Sequence, residues 1–391
     1  MPQNELTLRY GCNPHQTPAR VYHKSGVLPF TVLNGSPGYI NLMDALNSWQ
    51  LVKELRQVLN LPAAASFKHV SPAGTAVTAP LSDALKTAYF VDDMDLSPLA
   101  VAYARARGAD RLSSFGDWAA MSDVVDVSTA RLLRREASDG IIAPGYDPDA
   151  LEILKKKKGG GYMVLEMAPD YEPEEMETKE IFGVTIEQKR NNRVTGREIL
   201  EKVVTKNKDI PESAARDLLV ATVALKYTQS NSIAFAVDGQ AIGVGAGQQN
   251  RLACTDLAGR KAESWYLRQH PKVLGFQFRK GLSRPEKINA IELYVRGDLT
   301  PQERDAWQPC FEAVPEALTQ QEKQDWIGQM TGIALSSDAF IPFRDNIDRA
   351  ARTGVKYIVQ TGGSTRDDDV TAAADDYGMV MAMSGVRLFH H

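Results

Sequence analysis

The segment Ala63-Ala-Ala-Ser-Phe-Lys-His-Val-Ser-Pro-Ala-Gly74 decides the fold class predicted for this chain. Residues 63–67 are small or apolar, which is typical of a buried central strand. Lys68 and His69 then fall where this strand ends, and the following Ser71-Pro-Ala-Gly74 favours a turn. In open α/β sheets ligands bind at such strand ends, so we expect chemistry at Lys68 and His69.

A helix is predicted immediately before this strand. From Asn41, apolar side chains recur at helical spacing until Pro62, with Asp44 as the expected N-cap. A hairpin is predicted over 232–244, where two apolar runs flank Asp238-Gly239, a pair that favours a type I′ turn. Strand and helix patterns also alternate near the C-terminus. The sequence therefore predicts an α/β fold of layered strands and helices.

The chain is predicted to consist of two halves. Residues from about 168 to 210 are polar and charged, and we interpret them as a connecting region. The predicted boundary lies near residue 200, with a first half plus connecting region at 1–200 and a second half at 201–391. The similar size of the halves is compatible with an old duplication.

Composition limits the classes of partner. The 391 residues include 45 Lys and Arg against 49 Asp and Glu, a net charge of −4. Such a chain has no overall field that attracts nucleic acid or an anionic membrane, so placed cations must hold any anionic ligand. No apolar run approaches the roughly 18 residues of a membrane span. The 3 cysteines, odd in number and far apart, indicate a reducing compartment, and we expect the cytoplasm.

Several enzyme classes lack their motifs here. The sequence contains no Walker A string, no Gly-x-Ser-x-Gly, no His-Glu-x-x-His and no Cys-x-x-Cys. Its histidines form no metal-ligand pair with a cysteine, so zinc is not expected. Gly243-Val-Gly-Ala-Gly247 is similar to a dinucleotide loop, but it follows a hairpin strand and its third glycine is misplaced. We interpret these glycines as positions where two backbones approach closely.

Lys68 and His69 are the strongest catalytic candidates. At a strand end that enters a turn, adjacent side chains can converge on one ligand. The neighbouring ammonium disfavours the imidazolium, which leaves the imidazole able to accept a proton, and the lysine can stabilise an oxyanion. The alternative is a surface lysine beside a hydrogen-bonded core histidine.

Other polar positions are candidates for ligand binding. Asn231, where a helix gives way to a strand, could orient a ligand or only cap a turn. The loop 340–346 could hold a flat ring or form a satellite core. The candidate anion-binding cations, each alternatively a surface charge, are Arg9 (beside Tyr10), Arg251 and Arg387.

Longer strings, in order over nearly the whole chain, are more specific than any of these motifs. They are Leu8-Arg-Tyr-Gly-Cys-Asn-Pro-His-Gln16, Ser66-Phe-Lys-His-Val-Ser-Pro-Ala-Gly74, Ala102-Tyr-Ala-Arg-Ala-Arg-Gly-Ala-Asp110, Ser113-Ser-Phe-Gly-Asp117, Lys226-Tyr-Thr-Gln-Ser-Asn-Ser232, Gly245-Ala-Gly-Gln-Gln249, Ser336-Ser-Asp-Ala-Phe340 and Arg387-Leu-Phe-His-His391. In these strings the chain resembles the 5-aminoimidazole-4-carboxamide ribonucleotide (AICAR) formyltransferase domain of a bifunctional purine-synthesis enzyme. The resemblance implies two tandem cytidine-deaminase-like three-layer α/β units, here without the deaminase zinc ligands.

The resemblance also implies roles for individual residues. Lys68 and His69 match the family's catalytic pair, and Asn231 would help to align the reacting groups. The residues that match the nucleotide site are Arg9, Tyr10, Gly116, Asp139, Asn231, Arg251, Phe340, Arg387 and His391. Those that match the folate site are Pro342, Phe343, Asp345 and Asn346. Family members are homodimers whose active sites draw on both subunits, and some bind potassium near the segment that matches 225–230.

The function implied is formyl transfer from 10-formyltetrahydrofolate to the 5-amino group of AICAR, which gives FAICAR and tetrahydrofolate in de novo synthesis of purines through IMP. The bifunctional enzyme has an N-terminal IMP cyclohydrolase domain that this chain lacks, so we expect a separate cyclohydrolase unless the chain is an excised domain. Two alternatives are a nucleotide-binding protein without catalysis and a metal-dependent deaminase-like hydrolase.

Overall fold

The computed structural model describes residues 4–24 and 26–391. The strands are β1 (Glu5–Leu8), β2 (Ala19–Tyr22), β3 (Phe30–Asn34), β4 (Ala63–Lys68), β5 (Ser71–Val77), β6 (Asp117–Met121), β7 (Ser138–Ala143), β8 (Met163–Met167), β9 (Met176–Ile181), β10 (Val184–Lys189), β11 (Ile233–Val237), β12 (Gln240–Gly245), β13 (Ile333–Ser337), β14 (Val355–Gln360) and β15 (Val380–Met383). The α-helices are α1 (Tyr39–Leu59), α2 (Asp83–Ala88), α3 (Pro98–Ala109), α4 (Val127–Arg135), α5 (Pro148–Lys155), α6 (Glu212–Lys226), α7 (Arg251–Leu267), α8 (Pro271–Leu274), α9 (Arg284–Arg296), α10 (Pro301–Trp307), α11 (Gln320–Ile327), α12 (Asp345–Ala351) and α13 (Asp367–Asp376). The predicted α/β class is confirmed, and none of these described helices is long and apolar enough to cross a bilayer.

One mixed sheet of 11 strands forms the centre of the molecule, in the order β15-β14-β13-β11-β12-β5-β4-β6-β7-β8-β3. The hairpins β4–β5 and β11–β12 lie in its middle, and Gln240 on β12 pairs there with Ala76 on β5. We call this junction the central seam. Outward from the seam, β6, β7 and β8 run parallel in one half, and β13, β14 and β15 run parallel in the other. The first five strands outward from the seam therefore follow the same order on both sides, and β3 adds a sixth strand at the edge of the first half.

Helices cover both faces of this sheet. Apolar side chains of α1 and α6, such as Leu51 and Val220, form one buried cluster with the sheet. Side chains of α3 and α7, such as Tyr103 and Ala258, belong to the cluster on the other face. The sheet is thus the middle of three layers, and both of its faces are removed from water.

Two glycines allow helices to pack unusually close to the sheet. A Cβ atom on Gly74 of β5 would lie 2.2 Å from the Ala106 carbonyl oxygen of α3. A Cβ atom on Gly243 of β12 would lie 2.2 Å from the Ala258 carbonyl oxygen of α7. These strands occupy matching places on either side of the seam, so the same packing occurs in both halves. The interpretation of Gly243 as a close backbone approach is confirmed.

The start of α1 differs from the prediction. The helix begins at Tyr39 with Gly38 as its N-cap, and Asp44 is an interior helical residue with only 7% of its surface exposed. Asp44 is therefore not the cap that the sequence suggested. Aspartate favours N-cap positions in general, but here its carboxylate binds a partner outside the helix, as described below.

The turn predicted over Ser71-Pro-Ala-Gly74 is instead part of strand β5. The chain reverses within His69 and Val70, which both have positive φ angles, of 53° and 60°. Pro72 is tolerated in β5 because it pairs with Phe67 next to a register shift in β4. The expected strand β4 is present and ends one residue later than predicted, at Lys68.

The predicted hairpin in the second half is confirmed. It consists of β11 and β12, and Asp238 and Gly239 have positive φ angles of 50° and 74°, as a type I′ turn requires. The polar region 168–210 contains a hairpin that was not predicted, formed by β9 and β10, which pair only with each other in the described residues. Residues 271–327 add α8 to α11, which pack around their own cluster that includes Trp307 and Phe311.

A buried network of charges joins α3, β6 and the end of α4. Arg107 lies 2.7 Å from Asp117 and 3.0 Å from Glu136. Arg111 and Arg284 also pair with Glu136, at 3.3 and 2.6 Å. Burial alone would raise the pKa of Glu136, but the three guanidiniums outweigh it and lower this pKa to about 2. The carboxylate therefore stabilises the fold while it is ionised.

We predict that Glu136→Gln lowers the free energy of unfolding at pH 7 by about 3 to 5 kcal/mol, because it leaves buried guanidiniums without their partner. The wild-type advantage is present above the unfolded pKa of about 4.5 and is lost as the pH falls toward about 2, the folded pKa. Urea unfolding between pH 7 and 3.5 should show the two curves converging. Glu152→Gln, which removes an exposed pair with Lys155, is the control; a constant gap across this range would contradict the prediction.

We also predict that Gly243→Ala destabilises the protein by about 2 kcal/mol or more, because the new methyl group would meet main-chain atoms of α7 that cannot rotate away. Thermal unfolding measures the effect. Gly145→Ala is the matched control, since its added Cβ would lie 3.5 Å or more from its neighbours, and it should change stability by less than about 0.5 kcal/mol. Equal stability of the two variants would show that α7 can shift.

Candidate functional site

The registers of the sheet bring several strand ends to one edge. Lys68 at the end of β4 pairs with Ser71 at the start of β5, and the start of β11 at Ile233 pairs with both Gly245 of β12 and Ser337 of β13. The amino ends of β6 and β7 lie at the same edge, because β6 runs antiparallel to β4. We call this the site edge. It combines amino ends of the parallel strands in the first half with carboxyl ends in the second.

The turn of Lys68, His69, Val70 and Ser71, here called the 68–71 turn, projects from the site edge. The His69 side chain is exposed, which contradicts the alternative of a core histidine. The Lys68 ammonium donates a hydrogen bond to the Phe115 carbonyl oxygen at 2.5 Å, so its position is fixed while two of its N–H groups remain. A base and a cation thus stand side by side.

Asp44 lies behind this turn and was not predicted to belong to the site. Its Oδ1 atom accepts a hydrogen bond from the Val70 amide at 2.7 Å. Burial raises the pKa of Asp44, whereas the Val70 amide and the charges of His69 and Lys68 act in the opposite direction. Sequence reasoning missed Asp44 because its partner lies 26 residues further along the chain.

Gly116 and Asp139 lie together beside the 68–71 turn. Gly116 has a φ angle of 73°, and a Cβ atom built on it would lie 3.7 Å from Asp139 Oδ2. Asp139 Oδ1 accepts a hydrogen bond from the Lys158 ammonium at 2.5 Å. Lys158, the last residue of the lysine run 155–158, thus folds back onto this candidate ligand-binding carboxylate. The following glycines were the signal that the helix stops there.

Asn231 and Arg251 form one cluster on the other side of the seam. Arg251 Nη2 donates to Asn231 Oδ1 at 2.9 Å, and the Asn231 amide donates to the Gln248 carbonyl oxygen at 3.0 Å. The Arg251 guanidinium is buried and pairs with the fully buried Asp338. The Arg251 charge is therefore neutralised by a carboxylate of the same chain, whereas the expected anion-binding arginine would keep its charge for a ligand. Asp338 was not singled out from the sequence, because 87 residues separate it from Arg251.

The C-terminal residues cross the site edge. The His390 amide donates to Ser230 Oγ at 2.9 Å, and the Ser230 amide donates back to the His390 carbonyl oxygen at 3.0 Å. Leu388 donates its amide to the Asp338 carbonyl oxygen. These bonds hold His390 against Ser230, the residue before Asn231, and the ring of His391 lies 5.8 Å from the ring of Phe389, centre to centre. Arg387 stays exposed, with its guanidinium 4.7 Å from the centre of the Phe389 ring.

A contact between a main-chain amide and a side-chain hydroxyl links the two sides of the site. The Gln229 amide lies 3.4 Å from Ser71 Oγ, in the 68–71 turn. Gln229 precedes Ser230, which holds the C-terminal segment, and Asn231 follows. The structure thus brings the first-half residues Lys68 and His69 into one contact chain with the second-half cluster.

The predicted folate loop follows Asp338 along the chain. Phe340 and Phe343 are 45% and 53% exposed, so their rings do not form the satellite core considered above. Asn346, in contrast, is buried, and its side chain bonds to Thr255 and to Asp345. Its amide is therefore already satisfied within the protein, while the two rings and Pro342 face outward or lie only partly covered.

Arg9 and Tyr10 adjoin a separate small sheet. They follow β1, and the β1–β2 sheet has no strand pairing with the large sheet in the described residues. Arg9 is exposed, with its guanidinium 5.8 Å from the Tyr10 ring centre. Within residues 4–24 and 26–391, neither side chain bonds to the 68–71 turn, and no three His, Cys, Asp or Glu side chains group as a metal would require.

Comparison with known proteins identifies the family of the chain. The family model described as "AICARFT/IMPCHase bienzyme" matches residues 1–261. The bifunctional purine biosynthesis protein PurH of Xanthomonas oryzae pv. oryzae (strain PXO99A) is 31% identical over 392 residues, covering 99% of this chain. PurH of Xanthomonas campestris pv. campestris (strain 8004) has the same identity and coverage. This chain spans 58% of the length of either relative. The chain belongs to the AICARFT/IMPCHase family.

Proposed function

We propose that the chain transfers the formyl group of 10-formyltetrahydrofolate to the 5-amino group of AICAR, giving FAICAR and tetrahydrofolate in purine biosynthesis. The observation that carries the proposal is the exposed His69 beside the anchored Lys68 ammonium, in a turn whose Ser71 hydroxyl contacts the amide of Gln229, two residues before Asn231. Family membership supports it, and the relatives are named as purine biosynthesis proteins.

In the proposed reaction the amine nitrogen attacks the formyl carbon directly. His69 accepts the proton that the amine loses, as the new carbon–nitrogen bond forms. The Lys68 ammonium stabilises the oxyanion or protonates the folate nitrogen as the old bond breaks. The Asn231 side chain, held by Arg251 and Gln248, fixes the two reactants in line.

We assign the contacts with both ligands to residues near the site edge. Asp139 beside Gly116 would accept hydroxyl hydrogens of the nucleotide after exchanging its bond with Lys158, and Phe340 would pack against its ring. Arg251 and His391 would contribute N–H groups from the second half. The outward rings of the folate loop, Phe343 with Pro342, would face the pteridine, with Asp345 and Asn346 at its edge.

We propose a homodimer in which Arg9 and Tyr10 complete the partner's active site. Within the part of the chain that the structure describes, the side chains of Arg9 and Tyr10 make no hydrogen bond to the 68–71 turn, and Arg9 is exposed, which supports this assignment. Arg9 and Arg387 would then bind the nucleotide phosphate from two subunits, which a net-acidic protein needs because its overall charge does not attract anions.

We further propose that the two sides of the seam are cytidine-deaminase-like units in tandem, with the boundary near residue 200. The matching strand orders and the paired Gly74 and Gly243 contacts support it. The protein would act in the cytoplasm, with a cyclohydrolase to consume its product.

A potassium ion near 225–230 fits the oxygen donors of that segment. Hard oxygen ligands suit such a cation, and the segment offers main-chain carbonyls besides the hydroxyls of Thr228 and Ser230. The Thr228 hydroxyl donates to the Ala224 carbonyl oxygen, which leaves its lone pairs free, and Ser230 Oγ is held in place by the His390 amide. The ion would stabilise the segment that carries Asn231.

We predict that His69→Ala lowers turnover by on the order of 10²- to 10⁴-fold, because the amine loses its proton acceptor. Tetrahydrofolate release measures turnover, and calorimetry should show AICAR binding within a few-fold of wild type. His270→Ala, which changes a histidine packed on Trp326 in a separate part of the fold, is the control. Full turnover by His69→Ala would refute the assignment, and wild-type binding without turnover would favour a non-catalytic nucleotide-binding protein.

We predict that Arg9→Gln raises the KM for AICAR roughly 10- to 100-fold, as expected for loss of one charge-assisted hydrogen bond to phosphate. Arg20→Gln is a matched control on the same small sheet, where Arg20 makes a 2.8 Å surface pair with Glu5, and it should leave KM within about twofold. Steady-state kinetics with varied AICAR decide the matter. Identical KM values for the two variants would remove Arg9 from the nucleotide site.

A further inference from the structure

The 68–71 turn has an energetically unfavourable backbone conformation. His69 and Val70 both have φ angles in the left-handed region, at 53° and 60°. Valine is β-branched and disfavours this region more than most residues, and neither position is a glycine. Such conformations cost about 1 to 3 kcal/mol each and persist when the surroundings impose them. A specific interaction must therefore hold the turn.

The Asp44 carboxylate supplies that interaction. It is 7% exposed and lies in the interior of the long helix α1, whose neighbouring side chains Ala45 and Leu42 are buried against the sheet. Its Oδ1 atom accepts a hydrogen bond from the Val70 amide at 2.7 Å, a charge-assisted bond to the third residue of the turn. Because the helix is anchored by its packing, the carboxylate gives the turn a rigid reference point.

A second anchor holds the other side of the turn. The Lys68 ammonium is bound to the Phe115 carbonyl oxygen. Two residues later, Asp117 bonds to Ser66 on β4 at 2.6 Å and pairs with Arg107. Lys68 is therefore fixed by its side chain, whereas His69 makes no such contact in the described residues and depends on the backbone of the turn. The direction of the imidazole follows from the conformation at residues 69 and 70.

We propose that Asp44 is a positioning residue for formyl transfer, which orients His69 by holding the Val70 amide and with it the left-handed turn. The inference rests on the proposed function for its catalytic consequence. Asp44 lies behind the turn and does not act on the substrate itself. Loss of its hydrogen bond should slow the chemical step and leave nucleotide binding largely intact, since the nucleotide contacts lie on other elements.

The test compares Asp44→Asn and Asp44→Ala with Ser48→Ala. Ser48 is a matched control, because it is fully buried one turn further along α1 and its hydroxyl bonds only to the Ala45 carbonyl oxygen. Asparagine keeps the size and one acceptor oxygen, so that variant should fold even where alanine does not. The readouts are kcat and the KM for AICAR, thermal unfolding, and deuterium uptake of a peptide that covers residues 66–74.

We expect kcat to fall about 100-fold in Asp44→Ala and by a smaller factor in Asp44→Asn, because small misplacements of a catalytic group have effects of this size. The KM for AICAR should stay within about threefold, and the 66–74 peptide should exchange roughly tenfold faster, as expected when the bond that holds the Val70 amide is lost. Ser48→Ala should match the wild type in all three measurements.

Wild-type kcat and peptide exchange in both Asp44 variants would overturn the inference while the proposed function stands. An equal loss of kcat in Ser48→Ala would overturn it too, since the effect would then come from general loosening of α1. If the wild-type protein itself transfers no formyl group, the proposed function fails and the catalytic role of Asp44 fails with it. The exchange data would still show whether Asp44 holds the turn.

Discussion

The close approach of two helices to the two central hairpins is the constraint on which the rest of the structure depends. Helices α3 and α7 can lie against β5 and β12 only because Gly74 and Gly243 have no side chain. This packing fixes both hairpins side by side in one sheet, and β6 to β8 and β13 to β15 extend it outward on either side. The core on both faces then follows from covering that sheet with helices.

The site is a consequence of this arrangement. Because the hairpins meet antiparallel, the end of β4 and the starts of β5 and β11 lie at the same edge. That edge receives the base and the cation from one half and the amide cluster from the other. The buried charge pairs, such as Arg251 with Asp338, hold the cluster but leave little free positive charge. The proposed function therefore assigns the nucleotide phosphate to Arg9 and Arg387, which are exposed.

Local signals in the sequence predicted much of the fold. The Asp238-Gly239 pair predicted the β11–β12 hairpin, and the small apolar run 63–67 predicted strand β4. The same kind of signal failed at Pro72 and Gly74, which favour turns locally but here occupy β5. Gly74 is required because α3 packs against it. The contacting residue of α3, Ala106, lies 32 residues further along the chain, and no local pattern contains that information.

The candidate site, like the fold, could be predicted only in part from the sequence. His69 could be found from its string, but Asp44 and Asp338 could not, because their partners lie 26 and 87 residues away. A carboxylate in a sequence does not reveal which distant amide or guanidinium it will meet. Asp44 was predicted to be a helix cap because aspartate favours that position, while Gly38 takes that position in the fold.

The central seam has a mechanical consequence. In the described residues the two halves share one paired position, Gln240 with Ala76, and one further main-chain bond from Val77 to Gly239. The Gln240 side chain also makes buried hydrogen bonds to the side chains of Tyr89 and Arg105, which join the two halves across the seam. A small molecule that touches both the 68–71 turn and the Asn231 cluster spans this joint. Such a molecule would oppose sliding of one half against the other, so its binding would be coupled to the strength of the contact between the two central hairpins.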